Sequence, residues 1–341
     1  MCTDRTDQQS RHRSTHRSTY TGAVILALGI VPACLLAPLS GHAQYPTKAI
    51  KLIVSSAPGS GPDTIARVLG ERLSPLLGQP VVVENRAGSN GNIATDVTAK
   101  SAPDGYTVVI VSDSMIVINP HLYAKMPLDT LKDLVPVATV ASNTFFLSVH
   151  PSVPVKNFQE FIEYAKKANP PLAYASAGNG SQHQMAMEML KLRAGIDLVH
   201  VPYKGGAPAA TATVAGEVSA MFSGASTGPL IHAGRLRGLA ATGRSRSPLF
   251  PELPAIGEFY PGYELSVWLG IFAPAGVPEA VLARLRAEIN RVLPMTEVKE
   301  RLNAAGGLEP YVTTPQEFAE RIRSDYEKYG KLVKQIGAKV D

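Results

Sequence analysis

From residue 49 onward, short runs of β-branched residues alternate with stretches of helical periodicity. Each run is followed by a loop that contains glycine, and then by apolar residues spaced three or four apart. This alternation is typical of α/β proteins in which helices flank mostly parallel sheets. The pattern predicts strands at residues 50–55, 81–84, 107–112, 172–175, 198–201, 218–222, 236–241 and 268–273.

Three helices are marked clearly in the sequence. Apolar residues at 65–77 form one stripe, and a glycine follows directly. A second helical pattern covers residues 182–193. The last helix begins with Thr-Pro-Gln-Glu at 314–317, a capping box with proline in the first turn, and we expect it to end at about residue 336.

The chain is longer than a single core usually grows, which favours two domains. Residues 138–153 resemble an extended connection, and residues 245–263 are rich in Pro and Gly without helical periodicity. Two crossings in these segments predict a discontinuous first domain, residues 44–145 plus 259–341, and a second domain, residues 146–258. A ligand cleft would lie between the domains, with a hinge at the two crossings.

The first 43 residues have the composition of an export leader. Arginines precede an apolar run at 23–37, and small residues lead to a cleavage site after Ala43. The apolar run is too short and too interrupted by Gly and Pro to cross a bilayer comfortably. We therefore predict a signal peptide, residues 1–43, and a mature protein outside the cytoplasm. Two alternatives are a lipid anchor at Cys34 and an uncleaved membrane anchor.

Composition and charge exclude several classes of protein. The chain has 341 residues, 45% hydrophobic and 18% charged, and both cysteines fall within the leader, so the mature protein has no thiol chemistry. Removal of the leader subtracts four Arg and two Asp, which lowers the formal net charge from +5 to +3. The densest basic stretch, residues 321–339, also carries acidic residues, so we expect a solvated helix face and no nucleic-acid partner.

Two glycine-rich loops lie between a predicted strand and a predicted helix. They are the first glycine loop, residues 57–63, and the second glycine loop, residues 176–181. Unpaired backbone amides and the helix dipole favour an anion at a helix N-terminus. The Ser60 hydroxyl adds a donor, whereas the Asp63 carboxylate repels an anion unless it caps the helix, orders a water or meets a ligand amine. The alternative interpretation of the first loop is a tight turn with Asp63 as the cap.

Motifs of catalysis and nucleotide binding are absent from the sequence. Neither loop completes G-x-G-x-x-G, and G-x-x-x-x-G-K-[ST], G-x-S-x-G and H-E-x-x-H do not occur. The histidines after the leader are scattered without metal-ligand spacing. Ser181 and His183 would point in different directions on a helix, so they do not predict a catalytic dyad. We expect a protein that is not an enzyme and that has no cofactor and no metal.

Several short motifs in a fixed order carry a resemblance to a known family. They are PGSGPD at 58–63, VVVENRAG at 81–88, GNI at 91–93, APDGYT at 102–107, INP at 118–120, SAGNGS at 176–181, HVPYKG at 200–205 and FAPAG at 272–276. In these motifs the chain from residue 45 to its end resembles the Bug family, the extracytoplasmic solute-binding receptors of tripartite tricarboxylate transporters. The resemblance implies a two-lobed periplasmic-binding-protein fold of the flytrap type and ligands that are small carboxylates.

The resemblance also implies which residues bind the ligand, because in that family the two glycine loops hold a carboxylate through amides, hydroxyls and ordered waters. The implied residues are Gly59, Ser60, Gly61 and Asp63 in the first loop and Ser176, Ala177, Gly178, Gly180 and Ser181 in the second. Further candidates for the cleft are Ser112, Ser114, Tyr203 and Ser223, with Trp268 and Phe222 beside them. The implied partners are a carboxylate ligand and the membrane permease subunits, and we expect a monomer.

Three positions depart from the family pattern. Ser60 stands where Gly is common, Pro62 where Ser or Thr is common, and Gln184 where His often follows the second loop. Because Pro62 has no amide proton, we expect carboxylate binding at the first loop to be weaker or to depend more on water. Asp113 is either a turn residue or part of the cleft, where it would favour an amino acid, an amide or an aromatic monoacid over a dianion.

The sequence therefore predicts a periplasmic receptor that captures a small organic acid and delivers it to a membrane permease. One alternative is a sensory receptor of the same fold that presents its ligand state to a membrane sensor kinase. Another is an exported hydrolase or lyase that uses Ser181 or Asp63, for which the sequence shows no base partner.

Overall fold

The computed structural model describes residues 45–305 and 307–340, and the predicted leader lies outside them. The strands are β1 (Ile50–Val54), β2 (Val81–Asn85), β3 (Thr107–Ser112), β4 (Leu134–Thr144), β5 (Phe146–Val149), β6 (Leu172–Ser176), β7 (Leu198–Pro202), β8 (Ala220–Ser223), β9 (Arg237–Ala241), β10 (Ser266–Pro274) and β11 (Glu309–Pro310). The α-helices are α1 (Gly61–Leu77), α2 (Asn92–Ala99), α3 (Asn119–Leu122), α4 (Phe158–Lys167), α5 (Gln182–Ala194), α6 (Gly206–Ala215), α7 (Gly228–His232), α8 (Glu279–Val292), α9 (Thr296–Ala304) and α10 (Pro315–Ile336).

The strands form two mixed sheets. The first sheet has the order β11-β4-β10-β3-β1-β2, and the second sheet has the order β7-β6-β8-β5-β9. In the first sheet β10 is antiparallel to β3 and β4, and in the second β5 is antiparallel to β8 and β9. The strands β1 to β4 therefore share one direction, as do β6 to β9. The predicted α/β architecture, in which most strands of each sheet are parallel and helices flank them, is confirmed.

The predicted helices are confirmed at their ends. Helix α1 ends at Leu77 because Gly78 adopts a left-handed conformation with φ 68°. Helix α10 begins after Thr314, whose hydroxyl accepts a hydrogen bond from the Glu317 amide at 3.2 Å. The Glu317 carboxylate in turn accepts from the Thr314 amide at 2.8 Å, which completes the capping box.

Two strands occur where the sequence pattern predicts only an extended connection. Residues 138–153 contribute to β4 and β5, which belong to different sheets. All four residues of β5 are buried, and β4 has a run of five buried residues. A strand that is buried on both faces shows no alternation of polar and apolar positions, which is why the pattern does not mark these strands.

One of the clusters of buried apolar side chains contains residues from both sheets. It includes Val109 on β3 and Trp268 on β10 from the first sheet, and Leu147 on β5 and Tyr174 on β6 from the second. The division into two domains, with the boundaries given above, stays a prediction. Among the helices of the described ranges, none has both the length and the hydropathy needed to cross a membrane.

Candidate functional site

The buried carboxylate of Asp63 holds the first glycine loop in place. Asp63 lies in the first turn of α1 and is only 2% exposed. Its Oδ2 accepts hydrogen bonds from the Gly59 amide at 2.8 Å and from Arg67 Nε at 3.0 Å. Its Oδ1 accepts from Asn85 Nδ2 at 2.9 Å. The carboxylate thus ties the loop to α1 and to the end of β2.

These donors also keep Asp63 ionised. Burial opposes ionisation, but hydrogen bonds from Arg67, Gly59 and Asn85 outweigh it and hold the pKa of the carboxyl below its usual value. Arg67 Nη2 lies 3.0 Å from Asp63 Oδ1, so the two charges compensate each other locally. Such a carboxylate repels an incoming anion much less than a free one would.

Serine hydroxyls close the second glycine loop. Ser181 caps α5, where its Oγ accepts from the Gln184 amide at 3.4 Å and donates to the Gly178 carbonyl at 2.7 Å. Ser176 Oγ donates to the same carbonyl at 3.1 Å and lies 2.6 Å from His200 Nε2. The loop is therefore fixed by side chains at both of its ends.

Gly180 is required by the geometry of this loop. Its φ of 76° is in the left-handed region, and a Cβ at this position would overlap the side chain of Leu122. Its amide donates to Gln184 Oε1 at 2.7 Å. The second glycine loop thus packs closely against α3, which follows a strand of the first sheet.

The helices that follow the two glycine loops open on one cavity of about 790 Å³. Its wall combines a few polar side chains with many small or apolar ones. The polar lining residues are Ser112, Asn143, Gln182, His183, Thr211, Ser226, Thr227 and Arg235. The larger apolar lining residues are Phe145, Val214, Leu230, Val267, Leu269 and Leu308. Within residues 45–305 and 307–340, no Asp or Glu lines this cavity.

Five backbone amides of cavity-lining residues have no acceptor among the described residues. They belong to Gly61 at the start of α1, to Gln182 and His183 at the start of α5, and to Gly206 and Ala207 at the start of α6. Amides in the first turn of a helix have no intrahelical acceptor and point out of its N-terminal end. Three helix dipoles add partial positive charge at the same place. The arrangement is suited to binding an anion without a cationic side chain.

Several known proteins are similar to this chain in sequence. A family model described as the tripartite tricarboxylate transporter family receptor matches residues 65–338. The chain is also 35% identical to the protein BugT of Bordetella pertussis over 319 residues, which cover 93% of this chain and 97% of BugT. The chain belongs to the tripartite tricarboxylate transporter receptor family. Members of this family are periplasmic solute-binding receptors, so the predicted family and the general function are confirmed.

Solved structures of the family have the same fold as this receptor. A protein of R. palustris solved with adipate is 32% identical, with a TM-score of 0.76 over 87% of this chain and 100% of that chain. MatC from Rhodopseudomonas palustris with bound malate is 28% identical, with a TM-score of 0.71 over 85% of this chain and 100% of that chain. The periplasmic-binding-protein fold expected from the sequence is confirmed by the periplasmic binding protein BugD, which is 29% identical, with a TM-score of 0.73 over 86% of this chain and 99% of that chain.

The receptor brings part of the predicted site to the cavity. Gly61 and Ser112 belong to its lining. Ser114 is buried, and its Oγ lies 3.0 Å from that of Ser112. Ser223 is also buried, with its Oγ 2.6 Å from Oγ1 of the lining residue Thr227. The contacts of these residues with a ligand stay predictions.

Other predicted residues lie outside the cavity lining. In the loops these are Gly59, Ser60, Asp63, Ser176, Ala177, Gly178, Gly180 and Ser181. Tyr203 packs near α6, and burial together with Glu217 raises the pKa of its hydroxyl. Phe222 is a core residue of β8, and Trp268 is buried and donates to Asp325 at 2.9 Å. Trp268 and Phe222 therefore stabilise the core instead of forming the distal wall.

The three departures from the family pattern have distinct structural roles. Ser60 caps α1, and its Oγ lies 2.6 Å from Ser56 Oγ. Pro62 is in the first turn of α1 and lines the cavity, where it contributes no amide donor. Gln184 is buried and accepts from the Gly180 amide, so it supports the second loop.

Asp113 is a buried residue that does not line the cavity. It is fully buried directly after β3, where its Oδ1 accepts from Gln182 Nε2 and from the Ser114 amide at 2.9 Å. Its Oδ2 has no hydrogen-bond partner in the described part of the chain. Burial and the nearby charge of Asp325 raise the pKa of Asp113 to about 7. Asp113 lies outside the cavity lining, next to the lining residue Gln182, and its carboxyl group caps the helical segment Ser114–Ile118, which agrees with the interpretation as a turn residue.

His183 presents an imidazole to the cavity. Its ring packs on Phe145 with a centroid distance of 4.7 Å. Its Nδ1 is buried and has no partner among the described residues. Burial lowers the pKa of His183 to about 4, so the ring is neutral at neutral pH. A neutral imidazole of this kind donates or accepts one hydrogen bond without adding charge.

Arg235 and Asn143 line the cavity but do not follow a glycine loop. Arg235 lies between α7 and β9, where its amide donates to the Leu230 carbonyl at 2.8 Å. Asn143 lies near the end of β4, and its Oδ1 accepts from the Ala225 amide at 3.5 Å. A search for glycine loops before helices therefore does not identify Arg235 or Asn143. Only the fold shows that both residues line the cavity.

Proposed function

We propose that this receptor captures a small organic acid in the periplasm and delivers it to the membrane permease subunits of a tripartite tricarboxylate transporter. The observation that carries the proposal is the group of five cavity amides without acceptors, at the N-termini of α1, α5 and α6. A carboxylate accepts several such hydrogen bonds at once and is stabilised by the three helix dipoles.

The electrostatics of the cavity wall support an acid as the ligand. Among the described lining residues there is no Asp or Glu, so no side-chain charge opposes a carboxylate. Asp63 is compensated by Arg67, and Asp113 lies behind Gln182. The adipate and malate in the two R. palustris structures are carboxylates as well, which agrees with this assignment.

We further propose that the predicted domains close on the ligand as a flytrap. Closure at the two crossings would remove water from the carboxylate and strengthen its hydrogen bonds to the amides. The closed form would then be the state that the permease recognises. A sensory role uses the same site and closure, and a pull-down of membrane partners in the presence of ligand distinguishes the two outputs.

A thermal-shift screen of residues 44–341 tests the proposal. The panel contains mono-, di- and tricarboxylates, amino acids and aromatic acids. We expect acids to raise the melting temperature, with about 2.7 kcal/mol of stabilisation at a hundredfold excess over the dissociation constant. Gly61→Val fills the cavity lining and should abolish the shift. The control Ala283→Val adds a similar side chain on the exposed face of α8 and should leave the shift intact.

The proposal fails if the folded wild-type protein shows no shift with any acid of the panel. It also fails if Gly61→Val binds acids as tightly as the wild type. The melting temperature and circular dichroism of each variant without ligand show whether the variant is folded, so a folding defect is not mistaken for lost binding.

A further inference from the structure

The cavity extends along one face of α6. Its lining residues on this helix are Gly206, Ala207, Ala210, Thr211 and Val214, which follow the i, i+4 spacing of a single helix face. The rise from the first to the last of them is about 12 Å at 1.5 Å per residue. The cavity is therefore long enough to have two distinct ends, and the unpaired amides occupy only one of them.

Strand pairing places Arg235 at the other end. Val149 on β5 pairs with both Ala220 and Arg237, so β8 and β9 begin at the same level of the sheet. Helix α6 runs back from the carboxyl end of β7 to the amino end of β8, which brings Val214 to that level. Arg235 precedes β9 directly and lines the same cavity. It thus lies near Val214, away from the amides at the start of α6.

The charge of Arg235 is available to a ligand. Among the described residues, no carboxylate lies within 4.0 Å of its guanidinium, and the side chain is exposed. Its backbone is anchored, because the amides of Arg235 and Leu236 both donate to the Leu230 carbonyl, at 2.8 and 3.1 Å. A guanidinium with free donors, carried by an anchored backbone, is suited to bidentate binding of a carboxylate.

The helix face along which the cavity extends is mainly apolar. Ala207, Ala210 and Val214 on α6 line it beside a single hydroxyl, that of Thr211, and Leu230 on α7 belongs to the same lining. An ammonium group placed here would lose water without gaining a partner of opposite charge, because the described lining contains no Asp or Glu. This part of the cavity wall therefore favours methylene or aromatic carbon in a ligand.

We infer that the ligand is an amine-free diacid with an apolar spacer, and that Arg235 binds its distal carboxylate. This inference rests on the proposed function, which assigns the first carboxylate to the amides of α1, α5 and α6. It makes Arg235 a residue that determines specificity. Diacids with an apolar spacer are then preferred over monoacids of equal length and over amino diacids.

Isothermal titration calorimetry of residues 44–341 with matched acids tests this inference. The probes are succinate, adipate, suberate and sebacate, with hexanoate and octanoate as the monoacids and 2-aminoadipate as the amino diacid. We expect the best diacid to bind at least about tenfold more tightly than its monoacid, a ratio that corresponds to about 1.4 kcal/mol. Arg235→Gln should remove this preference and leave monoacid binding unchanged within about twofold. Arg235→Lys should keep part of the preference for diacids, since lysine has the positive charge but not the paired donors of the guanidinium.

Arg323→Gln is the matched control, because it removes the same charge from an exposed position on α10. The inference is overturned if monoacids bind as tightly as diacids, if Arg235→Gln weakens both classes equally, or if 2-aminoadipate binds as tightly as adipate. In each of these results acids still bind, so the proposed function survives. Only a complete lack of acid binding to the folded protein overturns the proposed function together with this inference.

Discussion

Gln182 donates its side-chain amide to Oδ1 of Asp113, so the first residue of α5 is hydrogen-bonded to a fully buried carboxyl group at the end of β3. Gln182 lines the cavity, whereas Asp113 does not. The contact joins a helix that flanks the second sheet to a strand of the first. Gln182 thus connects the carboxyl group of Asp113 to the cavity wall.

Asp113 should make the stability of the protein decrease with pH. Its pKa is about 7 in the folded protein and about 3.8 when unfolded, so the folded state holds a proton that the unfolded state releases. The free energy of unfolding should fall as pH rises from about 4 to about 7, by about 1.4 kcal/mol for each pKa unit of difference. Urea unfolding of wild type and Asp113→Asn checks this, since the variant should lose that part of the pH dependence.

The same experiment has a control in Asp197→Asn, which changes an exposed carboxylate. This variant should keep the pH dependence of the wild type. A stability profile of Asp113→Asn that runs parallel to the wild type from pH 4 to 8 would contradict the raised pKa of Asp113.

Asp63→Asn should lower the stability of the folded protein. The substitution removes the charge that accepts hydrogen bonds from Gly59 and Arg67, and the loss of a buried charge-assisted partner costs about 1–3 kcal/mol. Because the pKa of Asp63 is lowered in the folded state, this contribution exists above the unfolded pKa and disappears as pH falls through the folded value. Urea unfolding at pH 7 and at pH 3 should therefore show a smaller difference between variant and wild type at the lower pH. Equal stability at pH 7 would show that Asp63 does not hold the loop.

Ser181→Ala separates capping from ligand binding when it is compared with Thr314→Ala. Both residues are N-caps, of α5 and α10, and each substitution should lower the free energy of unfolding by about 1 kcal/mol. Ser181 also fixes the second glycine loop through Gly178, so its loss should weaken acid binding as well. Calorimetry should show reduced affinity for Ser181→Ala alone. Equal affinity in the two variants would remove Ser181 from the site.

His183 should remain neutral over the physiological range. Burial lowers its pKa to about 4, so its ring proton resonances should not shift between pH 8 and pH 5 in NMR spectra. The spectrum of His183→Gln, which lacks these signals, assigns them. Because an unfolded histidine takes up a proton near pH 6.5, this residue should also reduce stability as pH falls from about 6.5 towards 4. A midpoint near 6.5 in the folded protein would contradict the buried environment.

Local signals explain why much of the fold could be predicted from the sequence. The stripe that ends at Gly78 and the capping box at Thr314 and Glu317 depend on neighbours within one or two turns, so the helices they mark occur as predicted. The strands β4 and β5 escaped prediction because their burial on both faces is created by other strands.

Some features of the candidate site could also be predicted from local sequence, and others could not. Glycine loops before α1 and α5 are visible in the sequence because a strand, a glycine turn and a helix N-terminus are contiguous along the chain. The burial of Asp113 beside Gln182 and the place of Arg235 in the cavity lining depend on residues far apart in sequence. No local pattern encodes such relationships.

By itself, the sequence determined the α/β class, the ends of the main helices, the two glycine loops before α1 and α5 and the resemblance to a receptor family, because each depends on short-range spacing or on ordered motifs. Only the tertiary structure decided which polar groups meet at the cavity. In the folded chain Arg67 compensates the charge of Asp63, and Asp113 lies outside the cavity lining. Arg235 lines the cavity and has no acidic partner among the described residues. Burial and charge pairing are properties of packed chains, and they arise only when distant segments come together.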